Sequence, residues 1–310
     1  MLRHAHRSTF ANRPRRCGGA LRAPLGGHRP PPQPNVPRVR GAVVLILASA
    51  LLCSLGLSQA LAAPQTVTRD PQALTLIASS LKALTGGTTV TDVVLQTTAN
   101  YVAGSDEETG TATLTASGNQ QSLVQLYLTG GTREEIRNGP AGAWIGPDGA
   151  AHSTALHNCW IDASWFFPAL TLEAVAADPQ TAVSYLGTDT SKGTPLLHLR
   201  VTRTPAGQAA AATSLILGLS TMDIYFNPQS YLPVILDFNT HPDIDAGTNL
   251  PVEIQFSNFQ TMGGVLVPLQ IQKYLQGSLL LDFVVTNASI NSDVPSSAYT
   301  LPATATGGTQ

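Results

Sequence analysis

The chain has 310 residues, 43% of them hydrophobic, with 17 basic and 19 acidic side chains and a formal charge of −2. Nine of the basic residues and none of the acids fall in residues 1–40, so the rest of the chain is acidic and offers no basic face for nucleic acid. Three cysteines are too few for a disulfide-stapled scaffold.

Residues 1–40 include the cluster "RPPPQPNVPR" and cannot bury enough apolar surface to offset their ordering entropy, which predicts a disordered basic leader. Gly41 to Ala63 is a 23-residue stretch without a charge that runs into "SQALAAP". A basic flank, an apolar core and small residues at Ala60-Leu61-Ala62 predict a signal peptide over 41–62, cleaved before Ala63. The alternative is an uncleaved inner-membrane anchor over 41–63, which is long enough to span a bilayer. A start near Val36 would leave a leader of ordinary length. Cys53 follows Leu51 and Leu52, not the small residues that precede a lipidated cysteine. Either reading predicts export to the periplasm. Without residues 1–62, eight basic residues face all 19 acids, a charge of −11, and Cys159 has no cysteine to pair with. About 248 residues remain, enough for one core without staples.

A single domain is expected over 63–302. It opens on Asp70-Pro71, a cap followed by proline at the first helical position. Leu74, Ile77, Leu81 and Leu84 mark one helical face, and Gly86-Gly87 end it. Strands follow. "SLVQLYLT" sets Val124, Leu126 and Leu128 against Gln125 and Tyr127. "PVEIQFSNF" sets Val252, Ile254 and Phe256 against Glu253, Gln255 and Ser257. "PLQIQKYL" sets Leu269, Ile271 and Lys273 against Gln270, Gln272 and Tyr274. This is period two, with one face buried and one polar. Turn signals at 129–132, 147–149 and Gly263-Gly264 separate these runs. Eleven or twelve strands are expected, interrupted by helices at about 162–177 and 208–218. The fold class is mainly β (α+β), a large curved sheet or open barrel. A flexible tail is expected over 303–310.

"HSTALHNCWIDASWFFPAL", His152 to Leu170, concentrates the chemistry. His152, His157 and Cys159 are zinc-ligand types, but H-x4-H-x-C matches no standard site and no H-E-x-x-H is present. A His157–Cys159 nucleophile pair would need an oriented base and an oxyanion hole, and neither is identifiable. There is no G-x-S-x-G elbow, no G-x-G-x-x-G and no P-loop. "DIDAGTN" (243–249) has its glycine one place early for a calcium loop and Ile254 at the twelfth position. His198 reads as a strand residue. No cofactor is expected. Trp144, Trp160, Trp165, Phe166 and Phe167 are either a helix docked on a sheet or the lining of a cavity for an apolar ligand.

The C-terminal third carries a family likeness. "MDIYFNPQSYLPVILDF" (222–238) is a strand, an Asn-Pro turn and a "YLP" lead into the next strand. Three strands follow, "IQFSNF", "GGVLVPLQI" and "LDFVVTNASIN". This layout, with the Asp70–Leu84 helix leading into "VTDVVLQTTANYVAG" and "GTATLTASG", resembles the outer-membrane lipoprotein-sorting or lipoprotein-carrier (LolA/LolB-like) superfamily. That group includes periplasmic lipid-sensing domains. The resemblance implies an open, incomplete antiparallel β-barrel of about eleven strands with helices over its concave face. It also implies non-catalytic binding of an acyl chain, lipid or lipoprotein, and an arginine that holds the lid, for which Arg133 and Arg137 are the candidates. Two other readings stand beside it. One is an envelope sensor or interaction module with a protein partner. The other is a metal- or thiol-dependent enzyme using His152, His157 and Cys159.

Overall fold

The computed structural model describes residues 67–118, 120–203 and 210–303. The leader, the apolar stretch at 41–63 and residues 304–310 of the tail lie outside the described residues. The chain divides into two units, Met1–Gln59 and Ala60–Gln310, and every described residue belongs to the second. Among the described residues, no helix is long and apolar enough to cross a membrane.

Helix α1 spans Pro71–Thr85. The Asp70 carboxylate accepts from the Gln72 amide at 2.8 Å, and Gly86 ends the helix at φ 63°, the left-handed conformation glycine tolerates best. Its buried face is Ala73, Leu76, Ile77, Ser80 and Leu84, while Leu74 and Leu81 are only half-buried. The face is therefore rotated slightly from the one the leucine spacing predicts.

Thirteen strands form one antiparallel sheet. In chain order they are β1 (Asp92–Ala103), β2 (Asp106–Ser117), β3 (Gln121–Leu128), β4 (Gly131–Asn138), β5 (Ala141–Ile145), β6 (Ala151–Ser153), β7 (Thr181–Asp189), β8 (Leu196–Arg203), β9 (Met222–Phe226), β10 (Pro233–Thr240), β11 (Leu250–Met262), β12 (Val265–Leu275) and β13 (Ser278–Ile290). Two meanders, β1 to β6 and β7 to β13, join where β1 pairs with β13, so the sheet is open with β6 and β7 at its edges. The open, helix-covered β architecture is as expected. The count is higher because β5 and β6 are short, at five and three residues.

Alternation holds on the long strands. Val124, Leu126 and Leu128 are buried, as are Val252, Ile254 and Phe256, while Tyr127 is exposed. These inward side chains share one core with α1 and with α2 (Pro168–Ala177). The helix expected from 162 starts only at Pro168. The residue before a proline is pushed out of the α region, and Phe167 is extended at φ −134°, ψ 91°. Residues 160–167 are instead a packed irregular segment, in which Asp162 accepts from the amide and hydroxyl of Ser164, both at 2.7 Å. Helix α3 spans Ala210–Ser220. Arg69 crosses to the far end of α2, where its guanidinium donates to the carbonyls of Val175, Ala176, Asp178 and Thr181. One planar fork thus gathers four carbonyls, among them the Asp178 carbonyl that also accepts from the Thr181 amide at 3.1 Å.

The outer face of β8–β11 carries a charged row. Asp223, Asp237 and Glu253 stand directly opposite one another on adjacent strands, an arrangement that like charges disfavour. Lys192 bridges Asp237 and Glu253 at 2.6 Å each, and Arg200 holds Asp223 through two bonds of 2.9 Å. His198 lies between Asp223 (2.8 Å) and Asp189 (3.4 Å), stacked on Tyr225. Burial works to lower the Lys192 pKa, but its bonds to Asp237 and Glu253 outweigh that and hold it above the ordinary lysine range. Burial first, then Asp237 and Asp223, push the Tyr225 phenol up to about 12.

Both groups have raised pKa values in the folded protein, so their contributions are complete below the unfolded values and fade as pH rises through the folded ones. Urea unfolding at a series of pH values should show stability falling from about pH 10 upward. Lys192→Met should remove the lysine's share of that fall. It should also cost about 2 kcal/mol at neutral pH, less than for a fully buried pair because the side chains are 20–29% exposed.

Candidate ligand-binding cleft

Strand β4 has an unusual inward face. Its pairing partners Leu126, Val124 and Ser122 place Arg133, Glu135 and Arg137 on the core side of the sheet. The next strand sets Trp144 opposite Glu135, and β6 sets His152 opposite Trp144. On the other side of the sheet, Lys273 sits between Ile254 and Leu281, both buried, so it too points inward. Charge has been placed on a face that is otherwise Val, Leu, Ile and Phe.

Two of these charges are held by protein partners. Arg133 makes a two-pronged pair with Glu108, at 3.0 and 2.7 Å, and lies over the Tyr101 ring. The bonds from Arg133 are the main reason that the Glu108 carboxyl is held below its usual range. Arg137 is buried at 5% exposure and donates to the carbonyls of Asn158 (3.0 Å), Cys159 (2.6 Å) and Ile161 (3.3 Å). Its stem lies against Gly142 on β5, where a Cβ would come within 2.9 Å of the Arg137 Cδ. Of the two arginine candidates, Arg137 is the one that grips the 158–161 segment.

That segment is tied on its other side as well. The Asn158 amide donates to the His241 carbonyl at 2.8 Å, and its oxygen accepts from the His241 amide (2.9 Å) and the Thr240 hydroxyl (3.1 Å). His157 Nε2 lies 3.0 Å from the Pro242 carbonyl and its ring meets His241 edge-on. "HNC" is thus a strap between β4 and the end of β10.

Below the strap, two hollows of about 300 Å³ each lie side by side. They share Glu135, Trp144, Trp165, Lys273 and Leu280. One continues over Val124, Leu126, Ile145 and Leu281, and the other over Ile161, Phe238, Val252 and Leu275. Trp165 is the common wall, 4% exposed, edge-on to Phe166 and 4.4 Å from the Lys273 ammonium. Together the hollows have the volume of a small-molecule site, with tryptophan and aliphatic walls in both, and with Arg137, Asn158, Asp162, His241 and Asp243 adding a polar side to the one nearer the strap. A larger hollow of about 460 Å³ lies beside α2, but Asp162, Asp178, Thr181 and Arg203 make its lining more polar. The shared pair is the better candidate for an apolar guest.

The sequence-derived candidates divide. Trp144 and Trp165 line both hollows. Phe166 and Phe167 are wholly buried in the core behind them, and Trp160 is half-buried within the 158–161 segment without lining either hollow. His152 stacks on Trp144 with ring centroids 4.1 Å apart, while His157 points to Pro242 and Cys159 is buried. Among the described residues, no three His, Cys, Asp or Glu side chains are grouped to hold a metal. Burial pushes the Cys159 thiol pKa up despite nearby Arg137. It should react with iodoacetamide at neutral pH at least about tenfold more slowly than in urea, by mass spectrometry. A native rate equal to the denatured one would contradict this placement. Glu135 and Lys273 were not among the candidates. The signal available was a charged residue in the inward register of a strand.

No protein-family model matches the sequence, and no curated protein matches it either. Solved structures similar to this chain include a LolA superfamily protein from Nitrosomonas europaea, at 12% identity and a TM-score of 0.46, covering 74% of this chain and 97% of that one. A DUF1329 family protein from Desulfovibrio piger is 9% identical at a TM-score of 0.46, covering 74% and 98%. The Mycobacterium tuberculosis lipoprotein LppX is 15% identical at a TM-score of 0.26, covering 73% and 98%.

Proposed function

We propose that this protein is exported to the cell envelope and there binds the acyl chain of a lipid or lipoprotein without transforming it. The observation that carries this reading is the pair of adjoining hollows walled by Trp165 and Trp144 on the concave side of an open sheet. Each methylene moved from water into such a lining contributes about 0.8 kcal/mol, so one chain supplies the affinity. The strap at 157–161, held by Arg137 and His241, covers the guest from above. The apolar stretch at 41–62 would direct export and be removed before Ala63.

Native mass spectrometry of the full-length chain, expressed in a bacterium and purified without detergent, tests both statements. The expected result is a protein mass beginning at Ala63 with an additional non-covalent mass in the lipid range. A protein that carries no such mass, and takes up none from added lysolipid or fatty acid, would overturn the binding reading. It would favour an envelope module that recognises a protein partner.

A further inference from the structure

We infer that the ligand of this cleft is a single-chain amphiphile with a zwitterionic head, an anionic phosphate beside a cationic ammonium, read by Lys273 and Glu135. The inference rests on the acyl-binding reading and adds the head-group class. Four charged side chains of β4 and β12 point to the concave face, and two of them have their partners. Arg133 is paired with Glu108, and Arg137 is spent on three carbonyls. The other two are not paired: among the described residues neither Glu135 nor Lys273 belongs to an ion pair. The Lys273 ammonium lies instead against the face of Trp165.

Glu135 and Lys273 come from strands with β3, β2, β1 and β13 between them, yet the curvature of the sheet brings both to the same two hollows. A neutral apolar ligand filling the cleft would strip water from two half-buried charges and give nothing back. A purely anionic head would satisfy Lys273 but meet Glu135, and at the rim Asp243. A head carrying both signs satisfies both residues. An ammonium takes the place of water at the Glu135 carboxylate, and a phosphate draws the Lys273 ammonium from the Trp165 face into a charge-assisted hydrogen bond. The apolar lobes then receive the chain.

The test is titration of the full-length protein, stripped of bound lipid, with three probes of equal chain length. They are lysophosphatidylethanolamine, lysophosphatidylglycerol and monoacylglycerol. The zwitterionic probe is expected to bind at least about tenfold more tightly than either of the others. Glu135→Gln should erase its advantage over the anionic probe. In Lys273→Met both phospholipids should bind no more tightly than monoacylglycerol, whose own affinity should rise in either variant because one charge fewer is stripped of water. Unchanged melting temperatures would show that both variants fold. Equal binding of all three probes would overturn the head-group inference and leave the acyl-binding reading standing, with Glu135 and Lys273 neutralising each other over the chain. Tightest binding of the anionic probe would likewise overturn the head-group inference alone. Failure of all three to bind would overturn both.

Discussion

Trp165→Ala is expected to destabilise the fold by about 3–5 kcal/mol and to abolish retention of an acyl ligand. Trp165 is 4% exposed and packs edge-on to Phe166 with ring centroids 5.5 Å apart. It is also the partition between the two hollows, so truncation merges them and strips the wall on which a chain would lie. Loss of stability alone would not identify a binding role, and Trp144 separates the two effects. Trp144 is 42% exposed and stacked on His152, so Trp144→Ala should cost no more than about 1 kcal/mol. Its ligand affinity should nonetheless fall, because it lines the same hollows. Urea midpoints with chain titrations on both variants check this. A Trp165→Ala protein as stable as wild type would contradict the packing described here, and unaltered affinity in Trp144→Ala would contradict the placement of the guest.

Arg137→Met is expected to cost at least about 3 kcal/mol and to loosen the strap before it loosens the sheet. Methionine keeps much of the stem volume against Gly142 but removes every donor. The carbonyls of Asn158, Cys159 and Ile161 then lose their charged partner together, in a place where water enters poorly. Arg137→Lys should recover only part of this, since one ammonium cannot reproduce the spread of a guanidinium fork. Hydrogen exchange provides the local readout. Amides across the strap should exchange at least about tenfold faster in Arg137→Met, while those of β1 and β13 slow or speed only with global stability. Uniform acceleration through the whole sheet would mean that Arg137 serves the core and not the strap.

How much of this was legible in the sequence depends on the range over which each feature is encoded. Helix α1 was written in a few adjacent residues, Asp70-Pro71 at one end and Gly86 at the other, and both ends fell as expected. The long strands were legible because period two is local and the burial of Val124, Leu126, Ile254 and Phe256 follows it. Pro168 was a missed local cue: it forbids helix at Phe167, so the aromatic run before it packs as an irregular plug. The strap was not readable, because Asn158 finds its partners at 240 and 241 and Arg137 finds its own at 158–161. His152, His157 and Cys159 looked like a cluster through sequence proximity alone. A strand end and a 3-10 turn send them in different directions. Lys273 was placed on the apolar face of its strand by alternation, and only the register with Ile254 and Leu281 gives that placement meaning.

The most direct test of the cleft as an acyl site is tryptophan quenching by a brominated chain. Bromine quenches an indole only at contact, and the three tryptophans stand in different places. Trp144 and Trp165 line the hollows and Trp160 does not. Titration of the full-length protein with a brominated lysophospholipid should quench a major part of the emission with saturation. Trp160→Phe should retain that quenching, and Trp144→Phe and Trp165→Phe should each lose a share of it. Saturable quenching confined to Trp160, or no saturable quenching at all, would place the chain elsewhere or nowhere on this protein.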